Sequence, residues 1–334
     1  MNVLYIFDDN YADISGVSIC SLLKHNDSHR NYHIYIIDGG ISQTNKEKLL
    51  SLVKTYNADI TFLPFINPEE VFGLKLDLAQ WCETNYLRII LERILPENIH
   101  KILYIDSDTL IRQDLSELYD MNLNDYPIAA AYDCYPLPKY QLGLSVRDKY
   151  YSDGILLIDL NLLRKGEQFK EYSCLLRDRN GKIAYLEQGA INYVMKNRIM
   201  LINPKYNLMT LSLVYKNCPK IFFDVNEDYY NIKELENAIE DPAIVHLTGN
   251  ILMIRPWCKY SNHPYSKEWR QILESTPWAT DFILKKVKYK PGIVYAIIIR
   301  IILFFMKNRN IAEFVASKSK RMREIRRKRQ EFRL

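Results

Sequence analysis

The stretch KILYIDSDTLIRQ, residues 101–113, constrains the chain most. Ile102, Leu103, Tyr104 and Ile105 form a short apolar run of mostly β-branched and aromatic type, which reads as a buried strand. It ends at Asp106-Ser107-Asp108 and turns apolar again at Leu110 and Ile111. Two carboxylates at the end of a buried strand are costly to desolvate unless something compensates them. Ligands of open α/β sheets bind outside the carboxyl ends of the strands. Carboxylate oxygens suit magnesium or manganese, and such an ion in turn holds a diphosphate. A lone Asp-x-Asp is more often a strand-to-helix turn with an aspartate N-cap. The strand before it, and what lies elsewhere in the chain, favour the metal.

Around this strand the pattern alternates. Residues 2–7 read as a strand ending in Asp8-Asp9-Asn10-Tyr11, and residues 14–23 carry apolar residues at helical spacing. Residues 32–37 form a second strand, closed by Asp38-Gly39-Gly40; residues 42–56 a helix with Ser42 as N-cap; residues 58–63 a third strand. Residues 79–94 look helical and stop before Pro96. Beyond the central strand, residues 127–132 end at Asp133 and residues 150–160 are another apolar run. Residues 162–177 and 187–195 read as helices. Residues 200–208, holding Pro204, read as strand plus loop, and residues 243–247, with His246, as a last strand. Such alternation predicts an α/β fold: a mostly parallel sheet flanked by helices. With 48% hydrophobic residues the chain can bury a large core, which excludes wholesale disorder.

Six cysteines at 20, 82, 134, 174, 218 and 258 form no C-x-x-C pair, which argues against a zinc ribbon or redox motif and for a reducing cytosol. The start, MNVLYIFDDN, reaches acid too early for a signal peptide, so no export is expected. The net charge of +5 is modest, but the final segment is strongly basic. Residues 293–306 are nearly all apolar, shorter than the roughly 20 residues that span a bilayer. KSKRMREIRRKRQEFR follows. An apolar stretch beside a charged, helix-prone one reads as an interfacial anchor on an anionic membrane. A solvated basic tail, or one that binds nucleic acid, is the competing reading. The aromatics lie in the apolar run rather than among the basic residues, so no nucleic acid is expected.

Polar clusters thus fall at strand ends: Asp8 to Tyr11, Asp106 to Asp108, Asp133 and His246. A histidine beside a hard-cation site is a reasonable third ligand and tilts the choice toward manganese. The Thr248-Gly249 turn and Arg255 favour a phosphate site, since a guanidinium pairs with phosphate in fork geometry.

Five stretches, in order, resemble glycosyltransferase family 8, the retaining transferases related to bacterial lipopolysaccharide galactosyl- and glucosyltransferases and to glycogenin. They are FDDNYADISGVSICSLL, TNYLRI, ILYIDSDTLI with DLSELYD, NPKYN, and VHLTG…RPW with HPY. The resemblance covers roughly residues 1–278 and implies a GT-A nucleotide-diphospho-sugar transferase fold, with residues 279–334 as an apolar and basic helical extension. It implies a UDP-sugar donor, Mn2+ (or Mg2+), a glycan or glycolipid acceptor, and transfer with retention. Asp106, Asp108 and His246 match the metal ligands. Asp8, Asn10 and Tyr11, with Asp9 and Ser107 between the matched positions, match the nucleotide side, and Arg88 an arginine near the donor. Asp133, Glu187 and Gln188 match the reaction centre, Gln188 orienting rather than attacking, and Glu187 or Asp133 as nucleophile or sugar ligand. Gly249 and Arg255 match the diphosphate motif, with Lys259 as the alternative cation because three extra residues precede Arg255. The chain departs where relatives show N-S-G or N-A-G and D-Q-D: it has Ser152-Asp153-Gly154 and Glu187-Gln188-Gly189. Galactose and glucose both remain open as the transferred hexose. A nucleotide-sugar-binding protein or a hydrolase is the alternative on the same fold. The expected location is the cytoplasm, peripherally on the inner face of the cell membrane.

Overall fold

The computed structural model describes residues 1–78, 82–135, 137–214, 229–249, 252–285 and 301. Ten strands are present among them: β1 Asn2–Phe7, β2 His33–Asp38, β3 Asp59–Pro64, β4 Lys101–Ile105, β5 Thr109–Ile111, β6 Ile128–Tyr132, β7 Tyr151–Asp159, β8 Ile199–Leu201, β9 Leu208–Met209 and β10 Ile244–His246. Seven form one sheet in the order β3-β2-β1-β4-β7-β6-β8. β1, β2, β3 and β4 pair in parallel, as do β6 and β8; β7 runs against both β4 and β6. The expected mostly parallel sheet is therefore present, with β7 as its reversed strand. β4 sits at the centre, and Ile102, Leu103 and Ile105 have no exposed surface. A strand buried on both faces has no reason to alternate, hence its continuous apolar run.

A second sheet, β5-β10-β9, branches from the central strand β4 directly after the Asp106–Asp108 corner. β10 runs antiparallel to β5 and parallel to β9.

Helix α1, Ala12–Lys24, is buried along nearly its whole length, packed on β5. Helix α2, Gln43–Thr55, starts where Ser42 accepts a hydrogen bond from the Asn45 N–H, as its N-cap position predicts. Two expectations change. Of the helix expected over residues 79–94, residues 79–81 lie outside the described residues, Glu83–Ile90 is a 3-10 helix and only Leu91–Ile94 is α-helical. Three residues per turn align Tyr86 with Ile89 and Leu87 with Ile90, and all four are buried. The helix expected over 162–177 is two, Leu160–Lys165 and Gln168–Asp178, parted at Gly166; the Asp159 carboxylate caps the first by accepting from the Leu162 N–H.

At residue 278, the expected boundary, Trp278 packs on α1 at Gly16, where a Cβ would lie 2.3 Å from its ring, and Lys285 forms a bridge with Cys258. Of the extension expected over residues 279–334, residues 279–285 and 301 are described and the rest lies outside the described residues. Among those described, no helix is long and apolar enough to cross a membrane.

Candidate active site

The Asp106 corner is assembled by strand register. Thr109 of β5 faces His246 of β10, and the Leu247 N–H donates to the Asp108 carbonyl at 2.8 Å. This brings an imidazole 138 positions downstream beside the two aspartates. His246 Nε2 lies 3.1 Å from Asp108 Oδ1 and 3.6 Å from Asp106 Oδ2. The three ligand atoms lie within 4.8 Å of one another. On the far side of the ring, His246 Nδ1 is 3.0 Å from Asn207 Oδ1, and the Asn207 amide nitrogen donates to Ser152 Oγ at 3.1 Å. An amide oxygen only accepts, so Nδ1 donates to it; Nε2 is hydrogen-bonded to Asp108 in the metal-free chain and would give its lone pair to a cation bound there.

Gly154 makes room for this corner. A Cβ there would lie 2.3 Å from His246 Cε1 and 2.9 Å from Asp106 Oδ2. The Gly154 carbonyl accepts from the Asp106 N–H at 2.8 Å, locking β7 against the metal motif. Burial raises the Asp108 carboxyl, but His246 and Arg255 more than reverse this and hold it at about 2. Burial likewise opposes protonation of His246, and Asp108 and Asp106 outweigh it, keeping its pKa above the usual value. Two carboxylates, a correctly turned imidazole and a glycine-made space fit a divalent cation of the manganese or magnesium kind.

The corner forms one part of a cleft of about 550 Å³. At one end stand Asp8, Tyr11, Gly249 and Arg255. Arg255 Nη2 pairs with Asp108 Oδ2 at 2.9 Å, and its guanidinium lies over the Trp257 ring. Lys259, the alternative diphosphate cation, is exposed and not part of the cleft wall, whereas Arg255 is. Ser107 lines the cleft and accepts from Ser15 Oγ at 2.8 Å. Asp9 and Asn10 stand outside the wall. The Asp9 carboxylate accepts from the Ser42 N–H and from Asn45 Nδ2, bracing the turn on the start of α2, and Asn10 Nδ2 donates to Asp8 Oδ2 at 3.0 Å.

The other end is acidic around a single arginine. Arg88 pairs with Asp153 Oδ2 at 3.0 Å, with Glu187 Oε1 at 2.8 Å and more distantly with Asp106, at 3.6 Å, and its guanidinium lies over the Tyr104 ring. The Tyr104 hydroxyl donates to Asp106 Oδ1. Burial pushes Asp153 up to about 6 and Glu187 up to about 8, although Arg88 opposes both shifts. Gln188 donates to Asp133 Oδ2 at 2.9 Å and contacts the Tyr150 hydroxyl at 3.0 Å, while its carbonyl accepts from the Asp153 N–H at 3.3 Å. Burial lifts Asp133 to about 6. Glu187 and Gln188 open the helix Leu186–Val194 after a turn in which Tyr185 and Leu186 both take left-handed φ, 60° and 48°. That turn explains Gly189. A Cβ there would lie 2.0 Å from the Ala184 carbonyl, so this backbone leaves no space for an aspartate side chain.

Fourteen of the sixteen residues named from the sequence line this cleft; Asp9 and Asn10 do not, and Ser152 lines it while also holding Asn207. Asn207, Tyr104 and Tyr150 were not named. Asn207 ends the NPKYN stretch, so its motif flagged it; Tyr104 and Tyr150 sit in apolar runs, where nothing local marks a polar task.

A family model for "Glycosyl transferase family 8" matches residues 2–260. General stress protein A of Bacillus subtilis (strain 168) is 27% identical over 284 residues, 84% of this chain and 95% of that protein. A lipopolysaccharide 1,2-glucosyltransferase of Escherichia coli (strain K12) is 25% identical over 286 residues, 84% of this chain and 80% of its own length. Among solved structures, the galactosyltransferase LgtC in complex with donor and acceptor sugar analogs superposes with a TM-score of 0.70 at 23% identity, over 83% of this chain and 96% of that one. The same fold, and a family match over most of the chain, make this protein a member of glycosyltransferase family 8.

Proposed function

We propose that the protein is a metal-dependent hexosyltransferase that moves galactose or glucose from a UDP-sugar to a hydroxyl of a cell-surface glycan or glycolipid such as lipopolysaccharide, with retention at the anomeric carbon. The observation that carries this reading is the convergence of Asp106, Asp108 and His246 within 4.8 Å, in one cleft with Asp8, Tyr11 and Arg255. Those three side chains would hold Mn2+ or Mg2+, which supplies Lewis-acid stabilisation of the leaving diphosphate. Arg255 adds a fixed positive charge at the same end. Asp8 and Tyr11 flank the nucleotide. Arg88 holds Asp153 and Glu187 in place at the sugar end.

The amide of Gln188 is engaged at both its oxygen and its nitrogen, so its part is to aim Asp133. Glu187 Oε2 is sealed from solvent, whereas Asp133 is half-buried. Asp133 is therefore the better carboxylate to meet the sugar, as a hydroxyl ligand or as the group that stabilises positive charge at the anomeric carbon. The acceptor hydroxyl attacks on the leaving-group face and passes its proton to a phosphate oxygen. The apolar and basic end of the sequence favours an acceptor carried on the inner face of the membrane.

The test is turnover of UDP-galactose and UDP-glucose with manganese, with and without a lipid-linked glycan. Wild-type turnover and its loss in Asp106→Asn support the reading; equal activity in that variant, or in wild type stripped of metal, overturns it. Free hexose alone, unaffected by acceptor, would make the protein a hydrolase. The anomeric configuration of the product, read by NMR, decides retention.

A further inference from the structure

The family match ends at residue 260, yet the described chain runs on to Lys285 and returns to the cleft. Residues 276–285 cross the molecule as a strap. Trp278 lies against Gly16 of α1, and its indole N–H donates to Asn45 Oδ1 at 2.8 Å, at the start of α2. Asp281 pairs with Lys48 of α2. Phe282 packs edge-on against Trp269.

Lys285 then touches the nucleotide end of the cleft from outside. Its ammonium donates to the Asn10 carbonyl at 2.5 Å and to Asp13 Oδ1 at 2.9 Å, and it lies 5.8 Å from the centre of the Tyr11 ring. Its backbone is tied as well. The Lys285 N–H donates to the Trp257 carbonyl at 2.9 Å, and the Lys259 N–H donates to the Lys285 carbonyl at 3.1 Å. Trp257 is the ring under Arg255. One residue therefore connects two walls: the Asp8–Tyr11 turn and the segment bearing Arg255.

The turn needs such a connection. It is one short 3-10 turn, Asp9–Tyr11, with no buried residue of its own and no side-chain cap at Asp8. Asp9 anchors it toward α2, through the Ser42 N–H and Asn45 Nδ2. Asn45 is also the residue that receives the Trp278 indole. The strap thus reaches the turn by two routes, indirectly through Trp278 and Asn45, and directly through Lys285.

We propose that Lys285 is a positioning residue for the nucleotide: the strap 276–285 completes the donor site by tying the turn that carries Tyr11 to the segment that carries Arg255, whose side chains also meet each other. This rests on the reading that the Asp8–Tyr11 turn and Arg255 flank a nucleoside diphosphate. Lys285 itself does not line the cleft, so its effect is on binding geometry rather than on the bond-breaking step.

The experiment uses the full chain. UDP binding is measured by calorimetry with manganese, and donor KM and kcat by turnover, in wild type, Lys285→Met and Lys285→Arg. Loss of a charge-assisted hydrogen bond that orders the turn predicts about a tenfold rise in the Kd for UDP and in donor KM for Lys285→Met. The kcat stays within about twofold, because the lost contacts are to the Asn10 carbonyl and Asp13 of the turn, while the Arg255 segment keeps its backbone tie to residue 285. Lys285→Arg, whose guanidinium still reaches the Asn10 carbonyl and Asp13, restores most of the affinity. A merely structural lysine would lower thermal stability without separating KM from kcat. Wild type that binds UDP together with a Lys285→Met that binds it equally well overturns the inference alone. A fall in kcat as large as the rise in KM also overturns it. Wild type that binds no uridine nucleotide removes the functional reading, and the inference with it.

Discussion

The two ends of the cleft solve the problem of buried charge differently. At the metal corner, backbone register does the placing: β5 and β10 bring Asp108 and His246 together, β7 presses Gly154 against them, and Asn207 turns the imidazole from behind. The ligand atoms are left facing one another, compensated only in part by Arg255 on Asp108 and the Tyr104 hydroxyl on Asp106. At the Arg88 end, side chains do the placing: Arg88 is shared by Asp153, Glu187 and, more weakly, Asp106. The first end is unfinished without a ligand; the second is already neutralised in large part from within. Removing a group from the first should cost function, and removing one from the second should cost the fold.

The largest effect separates them most sharply. Asp106→Asn and His246→Gln are each expected to lower metal-dependent transfer by about a thousandfold or more, with the melting temperature nearly kept, measured by product formation and calorimetry. A variant retaining a tenth of wild-type turnover breaks the contrast. Arg88→Met is expected to do the reverse first, destabilising the fold by roughly 3–5 kcal/mol because buried carboxylates lose their partner. An unchanged melting temperature for Arg88→Met would show that the Arg88 end does not depend on internal pairing.

Gly154→Ala is expected to reduce activity by about tenfold to a hundredfold. Its methyl group meets His246 and Asp106 at distances that force one of them to move, at a cost of roughly 1–3 kcal/mol. Wild-type kinetics for this variant would mean that the corner yields more readily than its packing suggests. Asn207→Leu is expected to weaken manganese binding by about 10–100-fold without contact to the ion, because the His246 ring loses the partner that sets its tautomer. Titration calorimetry reads this directly.

The smallest effect is in the pH dependence of metal-free stability, where the two ends have opposite signs. Asp108 is held at about 2 in the folded chain, below its ordinary 3.8, so its contribution is present above 3.8 and lost as pH falls through 2. Asp133 is raised by burial to about 6, so the folded chain prefers its protonated form. Its contribution is therefore largest at low pH and lost as pH rises from 3.8 through 6. Asp133→Asn should flatten the fall in melting temperature between pH 4 and 6.5. The same slope in both proteins would assign that fall to other groups.

Much was legible along the chain because it is written locally. Residues 101–105 had to be a buried strand, since a continuous β-branched and aromatic run has no exposed face, and Ser42 had to start a helix, since its hydroxyl meets an orphan N–H. Asp106, Asp108 and His246 were legible as residue types that need a cation. Other features depended on distance through space. The reversal of β7, the 3-10 geometry around Arg88 and the split at Gly166 follow from what each segment packs on, which no window of sequence contains. Asp9 looked like a ligand residue but turns to α2, where the Ser42 N–H and Asn45 Nδ2 both donate to its carboxylate.

The amino-acid order by itself determined which segments are apolar enough to become the central strands and which acids and imidazole stand at their ends, because desolvation cost depends on residue type alone. The tertiary structure decided which of those ends meet, that Asn207 aims His246, that Gly189 yields to the turn above it, and that Lys285 closes on the Asn10 carbonyl. Those outcomes depend on contacts between residues up to 275 positions apart, and such contacts exist only once the chain has paid the entropy of bringing them together.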